Sequence, residues 1–185
     1  MSSRLSSRGA AALVALALLL PSTPAATKVF YSRSQALQIA FPDAERIEDE
    51  TYVLSDAQAE RIGELAQSPL ESKLVKIYRG FHGDQLLGYA VIDIHNVRTM
   101  PEAFMVVLTP EGSVRSVRVL AFHEPLDYLP NDRWYDQFDQ KSLTSPLRLG
   151  GDIHGVVGAT LSARATTRGV RRALAFYQVL VRDEP

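Results

Sequence analysis

Gly158-Ala159-Thr160-Leu161-Ser162 is the segment whose residue types and spacing best suit chemistry: a glycine, a small residue and two hydroxyls stand directly ahead of a strongly helical C-terminus. Glycine permits a tight backbone approach, and alanine leaves room beside a flat ligand. Thr160 offers a hydroxyl, and Ser162 reads as the N-cap of the helix that follows. The free N–H groups of a helix start face the same place. A phosphate there gains hydrogen bonds and a dipole contribution of about 0.3–1 kcal/mol, rising to ~2 kcal/mol when partly buried. The chemistry implied is the holding of an anion. The same five residues also read as an ordinary cap and turn. No Gly-Lys-Ser/Thr follows, so this is no Walker-type phosphate loop, and the Gly-x-Gly-x-x-Gly fingerprint is absent.

Other reactive residues form weaker constellations. His82, His95, His123 and His154 are never paired at i+3 or i+4, so no zinc spacing is visible. His82 and His95 read as turn or strand surface, whereas His123 and His154 are the two that could approach the Gly-Ala-Thr segment, imidazole being a side chain suited to moving protons. A Gly-x-Ser-x-Gly elbow is missing, which removes the usual hydrolase signature. Asp127, Asp132 and Asp136 could imitate a carboxylate pair, but they read as a solvated loop and helix face. Arg168, Arg171 and Arg172 read as the wet face of the last helix, with contact to a partner protein or to lipid headgroups as the other reading.

The elements that must position these residues follow from periodicity. Ser32-Arg33-Ser34-Gln35 is a capping box for a short helix through Ala36, Leu37 and Ile39 to Phe41, stopped by Pro42. Ser55-Asp56-Ala57-Gln58 repeats the signal, with Ala59, Ile62, Leu65 and Ala66 at helical spacing. Then the period changes. A strand begins at Leu74, Ile77 and Tyr78, turns at Phe81-His82-Gly83-Asp84, and is followed by strands over residues 86–94, 104–108 and 114–120. Four neighbouring strands with short links make an antiparallel meander. A short helix is expected over residues 132–138, carrying the only tryptophan, Trp134. In the C-terminal helix Thr166, Val170, Ala173, Leu174, Tyr177 and Val181 line one face. The class expected is α+β, an antiparallel β-meander with helices packed on it and the last helix following the Gly-Ala-Thr loop.

Composition narrows the function further. The chain has 185 residues, a formal net charge of −1 and no cysteine, which excludes disulfides, thiolate metal sites, iron–sulfur clusters and thiol catalysis. Redox chemistry, if present, falls to an organic cofactor or to a metal held without thiolates. Arg4 and Arg8 precede eleven uninterrupted apolar residues from Ala10 to Leu20, and Pro21-Ser22-Thr23-Pro24-Ala25-Ala26 supplies small residues for cleavage. That order is the pattern of a secretory signal peptide over residues 1–26, with an uncleaved membrane anchor as the weaker reading. The expected product is an exported, periplasmic chain of about 160 residues, enough for one domain. A mildly acidic surface without a basic stripe argues against nucleic acid as a partner. Residues 27–72 read as an N-terminal helical segment and residues 73–185 as the domain bearing the site.

The Gly158-Ala159-Thr160-Leu161-Ser162 run, followed by Ala163 and Val170-Arg171-Arg172-Ala173-Leu174, resembles the FMN-binding domain family. That family includes periplasmic flavoprotein subunits of the Rnf complex and of the sodium-translocating NADH:quinone reductase, and the flavin domain of NosR-type membrane regulators. The resemblance spans residues 73 to about 180. Leu87-Gly88-Tyr89 looks like the family's Gly-Tyr strand, residues 112–120 are similar to a later strand, and Glu124-Pro125 stands where many members have Glu-Thr-Pro-Gly. Phe41-Pro42-Asp43-Ala44 and Leu54-Ser55-Asp56 resemble stand-alone secreted members. In such proteins a flavin transferase uses FAD to attach FMN, through its phosphate, to the last threonine of a motif close to Asp-Gly-x-Ser/Thr-Gly-Ala-Thr.

By position that acceptor is Thr160, with Gly158, Ala159, Leu161 and Ser162 around it. This chain departs from the motif with His154 in place of Asp and Val157 in place of Ser or Thr, and Asp152 lies two residues earlier. A tether suits an exported protein, because it makes the local flavin concentration independent of affinity. The protein then orients the ring and tunes its potential. Candidates for the ring pocket are Tyr89, Met105, Phe122, Glu124 and Trp134; Tyr89, Met105 and Phe122 read more readily as core, and Trp134 could simply close the core. The resemblance implies a redox carrier rather than a stand-alone enzyme, exchanging electrons with redox partner proteins or a membrane electron-transfer complex. The departures at 154 and 157 motivate a flavin-free binding or regulatory module of the same fold; a flavin reductase with non-covalent FMN is the third reading.

Overall fold

Six strands form one antiparallel sheet in the order β1-β6-β5-β4-β3-β2. The structure is a computed structural model and describes residues 28–183, so the leader expected over 1–26 lies outside the described residues. In chain order the elements are β1 (Lys28–Val29), α1 (Arg33–Ala40), β2 (Arg46–Val53), α2 (Asp56–Ala66), β3 (Leu74–His82), β4 (Gln85–Asn96), β5 (Pro101–Leu108), β6 (Val114–Phe122) and α3 (Thr160–Tyr177). Between β6 and α3 lie two 3-10 turns, Leu126–Tyr128 and Asp132–Phe138, and a π turn, Gln178–Arg182, ends the described chain. The class is α+β.

Alternation places helices on both faces of the sheet. Val75, Ile77, Tyr89, Val91, Phe104, Val106 and Leu108 point to one core, which is closed by α2, α3 and the turn carrying Trp134. Tyr78, Ala90, Met105, Val107 and Leu120 point to the other, closed by Ala36 and Ala40 of α1 and by Phe41 just after it. β5 therefore lies between two apolar layers, and Phe104 to Leu108 are each at most 1% exposed. An uninterrupted apolar run suits a strand covered on both sides, with about 1.5–3 kcal/mol from each large side chain removed from water.

Both capping boxes are complete: Ser32 accepts from Gln35 N while Gln35 accepts from Ser32 N, and Ser55 and Gln58 do the same. Residues 27–72, read as helical, also contribute two strands. β2 pairs with β3 from Arg46↔Phe81 to Val53↔Leu74, and β1 pairs with β6 at the opposite edge. The pattern in β2 was hidden because Glu48, Asp49, Glu50 and Thr51 are all exposed, so neither face announces itself as buried. Short edge strands dense in charge also discourage pairing with other chains.

α3 carries the site at its first turn and anchors it with the rest of its length. Thirteen of its residues are buried. Gly169 allows the close approach, because a Cβ there would overlap the Phe104 ring and press on Asp93 Oδ2. Among the described residues no helix is long and apolar enough to cross a membrane.

Candidate anion-binding cleft at the start of α3

α3 opens differently from α1 and α2. Its N-cap is Ala159, and no side chain caps it. Ala163 N bonds to Ala159 O at 2.9 Å, starting the helical ladder, so the N–H groups of Thr160, Leu161 and Ser162 precede it. Gly158 takes φ +84°, a left-handed conformation that turns the chain into the helix and that a side chain strains. The Thr160 side chain is exposed and donates a 3.3 Å hydrogen bond to Val156 O. Its hydroxyl is reachable from solvent.

Ser162 is not the N-cap. The helix starts two residues earlier, and Ser162, 1% exposed, donates its hydroxyl to Tyr128 O from inside the first turn. That bond ties α3 to the 3-10 turn Leu126–Tyr128.

The opposite wall is the β4–β5 hairpin tip. Glu124 accepts hydrogen bonds from Thr99 N at 2.9 Å and Met100 N at 3.1 Å, through one carboxylate oxygen. The Thr99 N–H foremost, then that of Met100, holds the Glu124 carboxyl below the ordinary carboxylate range against the opposing effect of burial. With the tip pinned, Arg98 lies over the Tyr128 ring, 5.4 Å from its centroid. Val97, Arg98, Tyr128 and residues 158–162 together line an open cleft of about 200 Å³. Arg98 escaped the sequence reading, since its place beside Thr160 arises from tertiary folding across 62 residues, and no pattern near it signals an anion ligand.

The remaining candidates disperse. Glu124 acts on the cleft through the hairpin backbone and does not line it. Tyr89 packs edge-on against Tyr177, ring centroids 5.3 Å apart, at the far end of α3. Tyr177 lies seventeen helical steps beyond Thr160, about 25 Å along the axis, so Tyr89 and Thr160 do not share a site. Trp134 is 6% exposed and donates its indole N–H to His154 O at 2.7 Å, bracing the loop ahead of α3. Met105 faces the α1 core, and Phe122 is wholly buried. Asp152 accepts from Arg148 N and Leu147 N and pairs with Lys141 at 3.0 Å; it organises its own loop.

Two surface readings also need correction. His95, expected on a strand surface, is 9% exposed and lies between Asp93 and Glu102. Of Arg168, Arg171 and Arg172 only Arg168 is exposed, because Arg171 donates to the carbonyls of Ser145 and Pro146 and Arg172 grips Asp93.

Chemically, this arrangement offers an exposed hydroxyl, uncapped helix N–H groups and a guanidinium around one opening, which suits a phosphate ester. Around it Val157 is fully exposed and Leu161 is 45% exposed, an apolar rim beside a polar mouth. Among the described residues no group of His, Cys, Asp or Glu could hold a metal ion. No family model matches the chain. No curated protein matches it either. Among solved structures, the crystal structure of NqrC from Shewanella oneidensis is similar, with 16% identity, a TM-score of 0.51, and coverage of 73% of this chain and 82% of that one. The two chains share a fold.

Proposed function

We propose that this chain is an exported FMN-binding electron-transfer domain whose flavin phosphate is esterified to Thr160. The observation that carries the reading is the uncapped mouth of α3, where an exposed threonine and Arg98 line one open cleft. The NqrC likeness supports it through the fold, which coincides with the resemblance drawn from the Gly-Ala-Thr segment to flavoprotein subunits of the sodium-translocating NADH:quinone reductase.

The residues present fit the group. Thr160 would carry the phosphoester, and Arg98 with the first N–H groups of α3 would neutralise the remaining phosphate charge. The cleft holds about 200 Å³, too little to enclose a cofactor that size, so the exposed Val157 and Leu161 beside it are the surfaces a planar ring would cover. Bound FMN supplies reversible electron uptake, and the protein orients it and excludes water from one side. His154 and Val157, where the motif has Asp and Ser or Thr, are both exposed and leave the hydroxyl unobstructed. The partners are redox proteins or a membrane electron-transfer complex, with a flavin transferase for maturation. Residues 73–185 carry the site, with residues 27–72 completing the sheet around it.

The test is a mass spectrum of protein co-expressed with a flavin transferase. An FMN phosphoryl mass on the peptide containing Thr160, lost in Thr160→Ala, is expected. Protein that stays colourless with FAD, FMN and the transferase all supplied would overturn the reading, and colour lost on acid precipitation would replace the ester with non-covalent binding.

A further inference from the structure

Four charged side chains meet between α3 and the sheet. Arg172 sets Nε 2.8 Å from Asp93 Oδ1 and Nη2 2.7 Å from Oδ2, a fork joining α3 to β4. Asp93 Oδ2 lies 2.8 Å from His95 Nδ1, and the ring's Nε2 lies 3.2 Å from Glu102 Oε2 on β5. Asp93 is 8% exposed and Glu102 is 0% exposed. The imidazole stands edge-on to Phe104, with centroids 5.2 Å apart.

An imidazole flanked by two carboxylates donates from both nitrogens only when it carries the second proton. Burial raises the Glu102 carboxyl's pKa, and the hydrogen bond and charge of a protonated His95 oppose that shift. With Glu102 ionised and the ring doubly protonated, Arg172, Asp93, His95 and Glu102 sum to zero charge, the least costly state for buried ions. Burial alone would push the ring's pKa down; hydrogen bonds and charge from Asp93 and Glu102 outweigh it and raise it to about 9. Asp93 faces the ring from β4, Glu102 from β5, and Arg172 reaches it from α3 through Asp93. Tyr135 approaches Glu102 from the turn Asp132–Phe138, its hydroxyl pushed up by burial. Glu102 Oε1, Tyr135 OH and Thr166 Oγ1 are all buried without a hydrogen-bond partner among the described residues. Among the described residues His95 is thus the one group that hydrogen-bonds the Glu102 carboxylate.

The position of this cluster gives it a role. His95 pairs with Glu102 and Asn96 with Pro101, the last rungs of β4–β5, and Val97 N then bonds to Met100 O at 3.2 Å to close the tip. Val97 and Arg98 are the tip's contribution to the cleft. We propose that His95 is a proton-dependent positioning residue: bridging Asp93 and Glu102 across those last rungs, it holds the tip at residues 97–100, and Arg98 with it, against the mouth of α3, and it loosens the tip when its proton leaves. The use made of Arg98 rests on the flavin reading above; the proton-dependent tip does not.

The experiment is an NMR titration of the full-length ¹⁵N-labelled protein without flavin, from pH 6 to 10. Both His95 nitrogens should carry protons at pH 7, one should leave near pH 9, and the amides of residues 97–100 should shift along the same curve. In Glu102→Gln the ring's proton affinity should fall about tenfold or more, and the tip amides should follow to lower pH. His95→Gln should remove the tip's titration; if that variant fails to fold, the wild-type and Glu102→Gln titrations decide. A neutral ring at pH 7, or tip amides that ignore the ring, overturns the proposal. A Thr160 that never acquires flavin leaves this titration intact, so the two readings fail separately.

Discussion

The Ser162 hydroxyl donates to the carbonyl of Tyr128, 34 residues earlier, and thereby fastens the first turn of α3 to the ring over which Arg98 lies. One hydrogen bond and one cation–π contact thus link the two walls of the cleft through Tyr128.

Ser162→Ala should cost about 1 kcal/mol of stability, the ordinary worth of such a bond, with the larger effect at the cleft. Urea unfolding measures the first, and flavin loading of the variant measures the second. Loading equal to wild type would mean that the two walls are held by other contacts.

Arg98→Gln should leave stability within about 0.5 kcal/mol of wild type, since the side chain is exposed. Flavin incorporated at Thr160 should fall severalfold, read as absorbance of purified protein. Arg98→Lys should restore part of it, because an ammonium supplies the charge without the planar fork.

Glu124 links the tip to pH. Its carboxyl is held below the ordinary range, so it contributes stability above the unfolded value of about 4.3, and that contribution is lost as pH falls through the folded value. Glu124→Gln should therefore lose about 1 kcal/mol at neutral pH, the difference between charged and neutral acceptors, and show a flatter decline of stability below pH ~4.3. Unfolding midpoints across the acid range check this.

Gly169→Ala should destabilise the fold by about 1–3 kcal/mol through overpacking, because its Cβ meets Phe104 and Asp93. Tyr89→Phe, at the other end of α3, should leave flavin loading unchanged. Thermal unfolding and cofactor content of the two variants separate packing from binding.

Much of the fold was legible because its signals are local. Ser32 and Ser55 announce helices within four residues, and the meander follows from alternation between short turns. β2 was not, since its charges lie on both faces, and β1 is only two residues long and depends on β6 for its pairing. Within the site, Thr160 sits where residue type and helix onset both point. Ser162 was misread because a distant carbonyl claims its hydroxyl, and Tyr89 because strand position does not reveal which end of α3 it meets. Arg98, Tyr128 and the hairpin tip converge only through tertiary structure.

Thirteen residues of α3 are buried, so the proposed attachment point belongs to the most firmly packed helix and not to a pliant loop. A cofactor moored there has no swinging arm. Its excursions are limited to its own ribityl chain, and electron exchange must be arranged by donors and acceptors that come to it. Docking geometry would then govern the rate, and lengthening the loop ahead of residue 158 would be the direct way to give the flavin reach.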